Sequence, residues 1–336
     1  MVKPAGLLSN RYEVKDMPDL TGKVAIVVGG SRGIGEAAVH ALVQKNCRVH
    51  IISATEAHAE AAIDHASELT PKASELIETH QVDLGDLPAV QALCEKIASS
   101  FERLDMLMLI AGIGVAPFGM TKSGLGNHFG INNVAFLQIA DILYPLLKKT
   151  AEMPNTLEGS VRIVCEASEL HRSAPSDVKA ESLEEMATDL GGARLYGRSK
   201  LGVIWFAQHL ASVLPAYPPV LAISVHPGAV STEQQSGATE SYPILGKALE
   251  YIAPAVFMTK EQGSESALWA ATAPGLGEPE KRAQVNGQYF TEADGKPGTE
   301  SSQAQDPGMA ARFWALCVKA LKEKGNYEVK LGTAAY

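Results

Sequence analysis

Residues 27–37 read VVGGSRGIGEA. An apolar run, residues 23–28 (KVAIVV), leads into this stretch, and a helical pattern over residues 34–45 leads out of it. Gly29, Gly33 and Gly35 stand at G-x-x-x-G-x-G spacing between the two. A tight strand-to-helix turn needs positive φ, which glycine adopts cheaply. Missing side chains let the backbone approach a pyrophosphate, and the helix N-terminus adds free N–H groups and the positive end of its dipole. The spacing differs from G-x-G-x-x-G, and a glycine turn at this place also serves packing alone in some α/β folds.

Working outward, strand and helix patterns alternate. Further strands are read at residues 48–52, 76–82, 106–110, 161–165 and 220–225. Helices are read from residue 56 and at 88–100, 132–149 and 195–214. This alternation predicts one α/β domain over residues 21–336, a doubly wound parallel sheet with helices on both faces, preceded by an irregular arm at residues 1–20. GQYF at 287–290 predicts a last strand, and residues 310–324 an amphipathic helix, forming a C-terminal extension. Two stretches break the rhythm: the polar residues 169–194, expected as a flap over a site, and residues 232–285, expected as a substrate-side lobe.

The 336 residues are 46% apolar and 20% charged, which excludes a disordered or fibrous chain. A net charge of -9 with no polybasic run argues against nucleic acid and against an anionic membrane surface. Cys47, Cys94, Cys165 and Cys317 form no CxxC pair, so reduced thiols and no metal are expected. The first twenty residues lack a signal-peptide core, and no stretch reads as the ~20 apolar residues of a membrane span, so a soluble cytoplasmic protein is expected.

Tyr196 and Lys200 lie at i and i+4 of a helical pattern, on one face. An ammonium beside a phenol lowers its pKa, which suits proton transfer in carbonyl chemistry; a surface tyrosine lying along a lysine stem is the alternative. Glu166 falls in a strand read as buried, where a carboxylate needs a partner or a raised pKa. It predicts either a structural salt bridge or a functional role.

Taken in order, these motifs resemble the short-chain dehydrogenase/reductase family, whose glycine pattern is TGxxxGxG, with Val28 here in the threonine position. The likeness spans roughly residues 20–235, and the GQYF and RFWALCVKAL stretches are similar, more loosely, to retinol-dehydrogenase-like members. It implies a Rossmann-type fold and a catalytic set of Asn132, Ser168, Tyr196 and Lys200. The implied cofactor cradle comprises Gly29, Ser31, Arg32, Gly33, Ile34 and Gly35, then Ser53, Thr55, Asp83, Leu84, Ala111 and Gly112. Tyr196, Lys200, Pro227, Gly228, Val230 and Thr232 complete it. Two motifs depart from the family: its NNAG is LIAG at 109–112, and its NVSS is CEAS at 165–168.

The second strand ends in IISATEAH, with hydroxyls at Ser53 and Thr55 and no carboxylate for the ribose, while Arg32 can meet a 2′-phosphate. NADP(H) is therefore expected over NAD(H). The implied activity is reversible hydride transfer between NADP(H) and a carbonyl or alcohol on a small to mid-sized, partly apolar substrate, in a possible homodimer or homotetramer. A non-catalytic cofactor sensor, or an enzyme of the same fold catalysing dehydration or epimerisation, are the alternatives.

Overall fold

The structure is a computed structural model and describes residues 10–217, 219–230 and 258–333. Its strands are β1 (Val24–Val28), β2 (Arg48–Ser53), β3 (Ile77–Gln81), β4 (Met106–Leu109), β5 (Val161–Glu166), β6 (Val220–Val225) and β7 (Tyr289–Phe290). They form one parallel sheet in the order β3-β2-β1-β4-β5-β6-β7. The central strands β4, β5 and β6 are buried at every position, which is why their sequences are largely apolar without alternation, Arg162 and Glu166 of β5 being the charged exceptions.

The longer helices are α1 (Gly33–Gln44), α2 (Glu56–Leu69), α3 (Leu87–Ser100), α4 (Asn127–Ala151), α5 (Gly192–Val213), α6 (Lys260–Thr272) and α7 (Pro307–Gly325). On one face Leu42, Ala62 and Leu268, from α1, α2 and α6, close over Val27, Ile51 and Ile223. On the other face α3, α4, α5 and α7 build the larger core around Phe136, Trp205 and Phe313. Gly202 in α5 lets the two helices approach, because a Cβ there would lie 2.4 Å from Phe313 Cζ. The chain reverses direction across the sheet between β1 and β4, which opens a crevice at their C-terminal ends.

The arm is docked over its described part. Arg11 makes a two-pronged ion pair with Glu265 of α6 (2.6 and 2.5 Å), and Tyr12 Oη bonds Thr272 Oγ1 at 3.1 Å. Contrary to the expectation, one helix is long and apolar enough to cross a membrane: α4, of whose most apolar window 83% is buried inside the protein. Its burial between the sheet and α3 accounts for that composition. α4 starts at Asn127, ahead of the expected residue 132, and passes through a π-helical turn at Gly130–Val134. The last strand shrinks to Tyr289 and Phe290.

Candidate active site

The glycine turn is built by close backbone contact. Gly29 has φ +88°, and a Cβ on it would sit 2.6 Å from the Ala111 backbone; one on Gly35 would sit 2.1 Å from the Gly29 carbonyl oxygen. Gly29 N–H donates to Ile52 O (2.8 Å), Ala111 N–H donates to Val28 O (2.7 Å), and the Ser31 and Ser53 hydroxyls meet at 2.9 Å. These bonds tie the turn to β2 and to the end of β4, although Val28 supplies no hydroxyl. Arg32 is the N-cap of α1 and gives it no side-chain cap bond, and Gly33, Ile34 and Gly35 of the first turn border the crevice.

Gly29, Ser31, Arg32, Gly33, Ile34 and Gly35 line a cavity of about 890 Å³, together with Ser53, Thr55, Asp83, Leu84, Ala111 and Gly112. The cavity runs from the hydroxyls that end β2, across the helix N-terminus, to Ile110–Ile113 and Glu166. Turn glycines that admit no Cβ, uncapped N–H groups and a long cleft together fit a dinucleotide. His58 and Lys260 also line it, and no sequence motif marks them. Lys260 reaches it by pairing with Glu36 at 2.8 Å, a contact between residues 224 apart in the chain. Asp83 accepts from Gly85 N–H (2.8 Å) and pairs with Lys122 (3.2 Å).

Ser168, Tyr196 and Lys200 gather at the C-terminal end of β5. Ser168 caps the short helix Glu169–Ser173, accepting from Leu170 N–H at 3.1 Å, and its hydroxyl also bonds the half-buried Tyr196 phenol. Lys200 Nζ lies 5.7 Å from the centre of the Tyr196 ring. Asn132, fully buried in the π-turn, grips the Ile113 peptide from both sides, accepting from its N–H (2.8 Å) and donating to its carbonyl (3.1 Å). It also donates to Ser199 Oγ (2.9 Å), which in turn donates to Tyr196 O (2.8 Å). Ser199 is thus a link in the site that the motif pattern does not reveal.

One expectation is corrected here. The phenol of Tyr196 is raised, not lowered: burial is the larger cause and the negative charge of Glu166 the next, while the Ser168 bond works the other way. The ammonium of Lys200, itself lowered by burial, donates to the Glu166 backbone carbonyl at 2.6 Å. Of the two readings of Glu166, a structural salt bridge or a functional role, the structure does not show the first among the described residues. Glu166 forms no ion pair with Lys200; its Oε2 is buried without a hydrogen-bond partner, and burial raises the carboxyl to about 7.

Pro227, Gly228 and Val230 follow β6. Gly228 has φ +86° and packs on Met258, with which Val230 forms a β-bridge. These three are not among the cavity-lining residues, and Thr232 lies outside the described residues. Residues 169–194 are pinned: His171 Nδ1 bonds Ser168 O (2.7 Å), Ser301 N–H donates to His171 Nε2 (3.1 Å), and Val178 and Met186 are buried.

Two groups among the described residues could offer three ligands to a cation, Glu36–His40–His65 and His50–Glu78–His80. Lys260 already occupies the carboxylate of the first. The four cysteines are free, buried thiols.

A family model for short chain dehydrogenases matches residues 23–154. The chain is 31% identical to the mitochondrial oxidoreductase bli-4 of Neurospora crassa, over 93% of this chain and 75% of that one. It is 28% identical to human retinol dehydrogenase 14, over 88% of this chain and 85% of that one. A short chain dehydrogenase from Burkholderia cenocepacia, solved in complex with NADP, shares the fold with a TM-score of 0.59 at 24% identity, covering 82% of this chain and 98% of that one. The glycine turn after β1, the gathering of Ser168, Tyr196 and Lys200 near the end of β5 and the kinship over nearly the whole length agree: the chain belongs to the short-chain dehydrogenase/reductase family of oxidoreductases, near its retinol-dehydrogenase-like members.

Proposed function

We propose that the protein interconverts a carbonyl and an alcohol on a small to mid-sized, partly apolar substrate, using NADP(H) in preference to NAD(H). The observation that carries this reading is the Ser168–Tyr196 hydroxyl pair beside Lys200, which lies just past Glu166 of β5, and Glu166 lines one end of the cavity that crosses the helix N-terminus. The nicotinamide, when bound, supplies or takes up the hydride.

The chain's own groups handle the oxygen and its proton. Ser168 and Tyr196, hydrogen-bonded to each other, hold a carbonyl oxygen between them and stabilise negative charge developing on it. The raised phenol keeps its proton at neutral pH, so Tyr196 serves as the donor in reduction. Lys200 and Asn132 hold the water path by which the phenol is reprotonated. Gly29 and Gly35 hold a pyrophosphate against the N–H groups of α1. Arg32, Ser53 and Thr55 favour a 2′-phosphate, since the end of β2 has hydroxyls in place of a carboxylate. His58 and Lys260 add positive or polar character to the same cavity.

Fluorescence titration with NADPH and NADH, followed by a carbonyl screen read as NADPH consumption, tests the reading. NADPH is expected to bind more tightly than NADH, and Tyr196→Phe to bind it normally while turnover nearly vanishes. Wild-type turnover in Tyr196→Phe removes the phenol from the mechanism, and binding of neither nucleotide removes the enzyme reading altogether.

A further inference from the structure

We propose that Glu166 sets which redox form of the cofactor the protein prefers: its buried carboxylate, at one end of the cavity, favours the oxidised, cationic nicotinamide over the reduced, neutral one. This rests on the nicotinamide reading above. Glu166 ends β5, lines the cavity next to Ile110–Ile113, and is 8% exposed. Its Oε2 has no hydrogen-bond partner among the described residues, and the charge of Lys200 offsets the cost of burying the carboxylate only in part. The nearest ammonium, on Lys200, is bound to the carbonyl oxygen of the same residue.

Geometry decides which part of a dinucleotide meets Glu166. A substrate oxygen held by Ser168 and Tyr196 puts the hydride-exchanging ring at that end of the cavity, two residues from Glu166. The 2′-phosphate end then falls at Arg32, Ser53 and Thr55. Only the oxidised ring carries a positive charge, so an ionised carboxylate beside it distinguishes the two forms by Coulomb attraction.

The preference should follow the ionisation of Glu166, which is packed among several titratable groups. Tyr196 and Lys200 approach from α5: the phenol is raised by burial and keeps its proton, and the ammonium is lowered by burial. On β5 the Cys165 thiol is raised by burial. Beyond β6, burial lowers His226 to about 4, so it is uncharged. The carboxyl of Glu166, raised to about 7 by burial, changes charge between pH 5.5 and 8.5. Linkage then requires that binding the oxidised nucleotide release protons.

Isothermal titration calorimetry of wild type, Glu166→Gln and Glu166→Val with NADP⁺ and NADPH at pH 5.5 and 8.5, in buffers of different ionisation enthalpy, tests this. The ratio of NADP⁺ to NADPH affinity is expected to rise roughly tenfold with pH in the wild type. Near pH 6.5, more protons should leave with NADP⁺ than with NADPH; the 2′-phosphate is common to both and cancels. Both effects are expected to disappear in whichever variant folds. A pH-independent wild-type ratio, or the same pH dependence in either variant, overturns the proposal while leaving nucleotide binding intact. Failure of both nucleotides to bind overturns the nicotinamide reading itself, and this inference with it.

Discussion

Replacing Glu166 by Gln should change how the stability of the unliganded protein depends on pH. Burial raises this carboxyl from 4.5 to about 7, with the charge of Lys200 opposing the shift only in part. A carboxyl raised on folding contributes its full stability below its unfolded pKa and loses it as pH rises through the folded value. The gap from 4.5 to about 7 corresponds to a loss of about 3 kcal/mol, most of it between pH 5 and pH 8. Against the 5–15 kcal/mol of roughly typical domain stability, that is a large fraction. Urea unfolding of wild type and Glu166→Gln at pH 5, 6, 7 and 8 isolates this contribution, because the other titrating groups are common to both proteins. The variant is expected to gain about 2–3 kcal/mol relative to wild type from pH 5 to pH 8, on top of any constant offset from the amide. Parallel pH curves would show that Glu166 is not ionising inside the fold, and would refute the reasoning.

Two further substitutions test the frame. Gly35→Ala places a Cβ 2.1 Å from the Gly29 carbonyl oxygen, so it should cost about 2 kcal/mol or more in urea unfolding and abolish NADPH binding by fluorescence titration. Normal nucleotide affinity in that variant would show that the turn does not hold the pyrophosphate. Asp141, buried in α4, accepts from the Lys330 and Leu331 N–H groups and from Tyr327 Oη. Asp141→Asn removes acceptor capacity and should cost about 2–3 kcal/mol; hydrogen exchange should show residues 327–331 losing protection, and unchanged protection there would mean the anchor lies elsewhere.

The parts of this architecture that are local in the chain are legible in the sequence. Apolar runs bounded by glycine and polar turns mark β1, β2, β4, β5 and β6, and the glycine spacing marks the cradle because its glycines are needed within seven residues of one another. The order of Asn132, Ser168, Tyr196 and Lys200 marks the reactive end because each sits at a fixed place on its own element. What is hidden depends on pairs distant in sequence. Lys260 enters the cavity through Glu36, and Ser199 joins Asn132 to Tyr196 through side-chain geometry that no spacing rule encodes. The length of α4 is hidden for another reason: its start at Asn127 precedes the apolar pattern, and the π-turn shifts the helical phase across Gly130–Val134.

The correction at Tyr196 has the same origin, and it couples two groups. Spacing alone makes Lys200 the dominant influence on the phenol, because the two share a helix face. In the fold, burial acts on both residues, the ammonium is engaged by the Glu166 carbonyl, and the charge nearest in effect to Tyr196 is the Glu166 carboxylate. Ionising Glu166 raises the phenol further, so the site is biased toward holding the proton that reduction must give away. A positive charge arriving beside Glu166 cancels that influence, and the phenol falls toward the state in which it can take a proton from an alcohol. The same carboxylate that is proposed to distinguish the two redox forms would therefore also adjust the acid–base group to the direction each form requires. On this argument Glu166→Gln should move the pH profile of alcohol oxidation toward lower pH. A lysine acting alone on Tyr196 would leave that profile where it is.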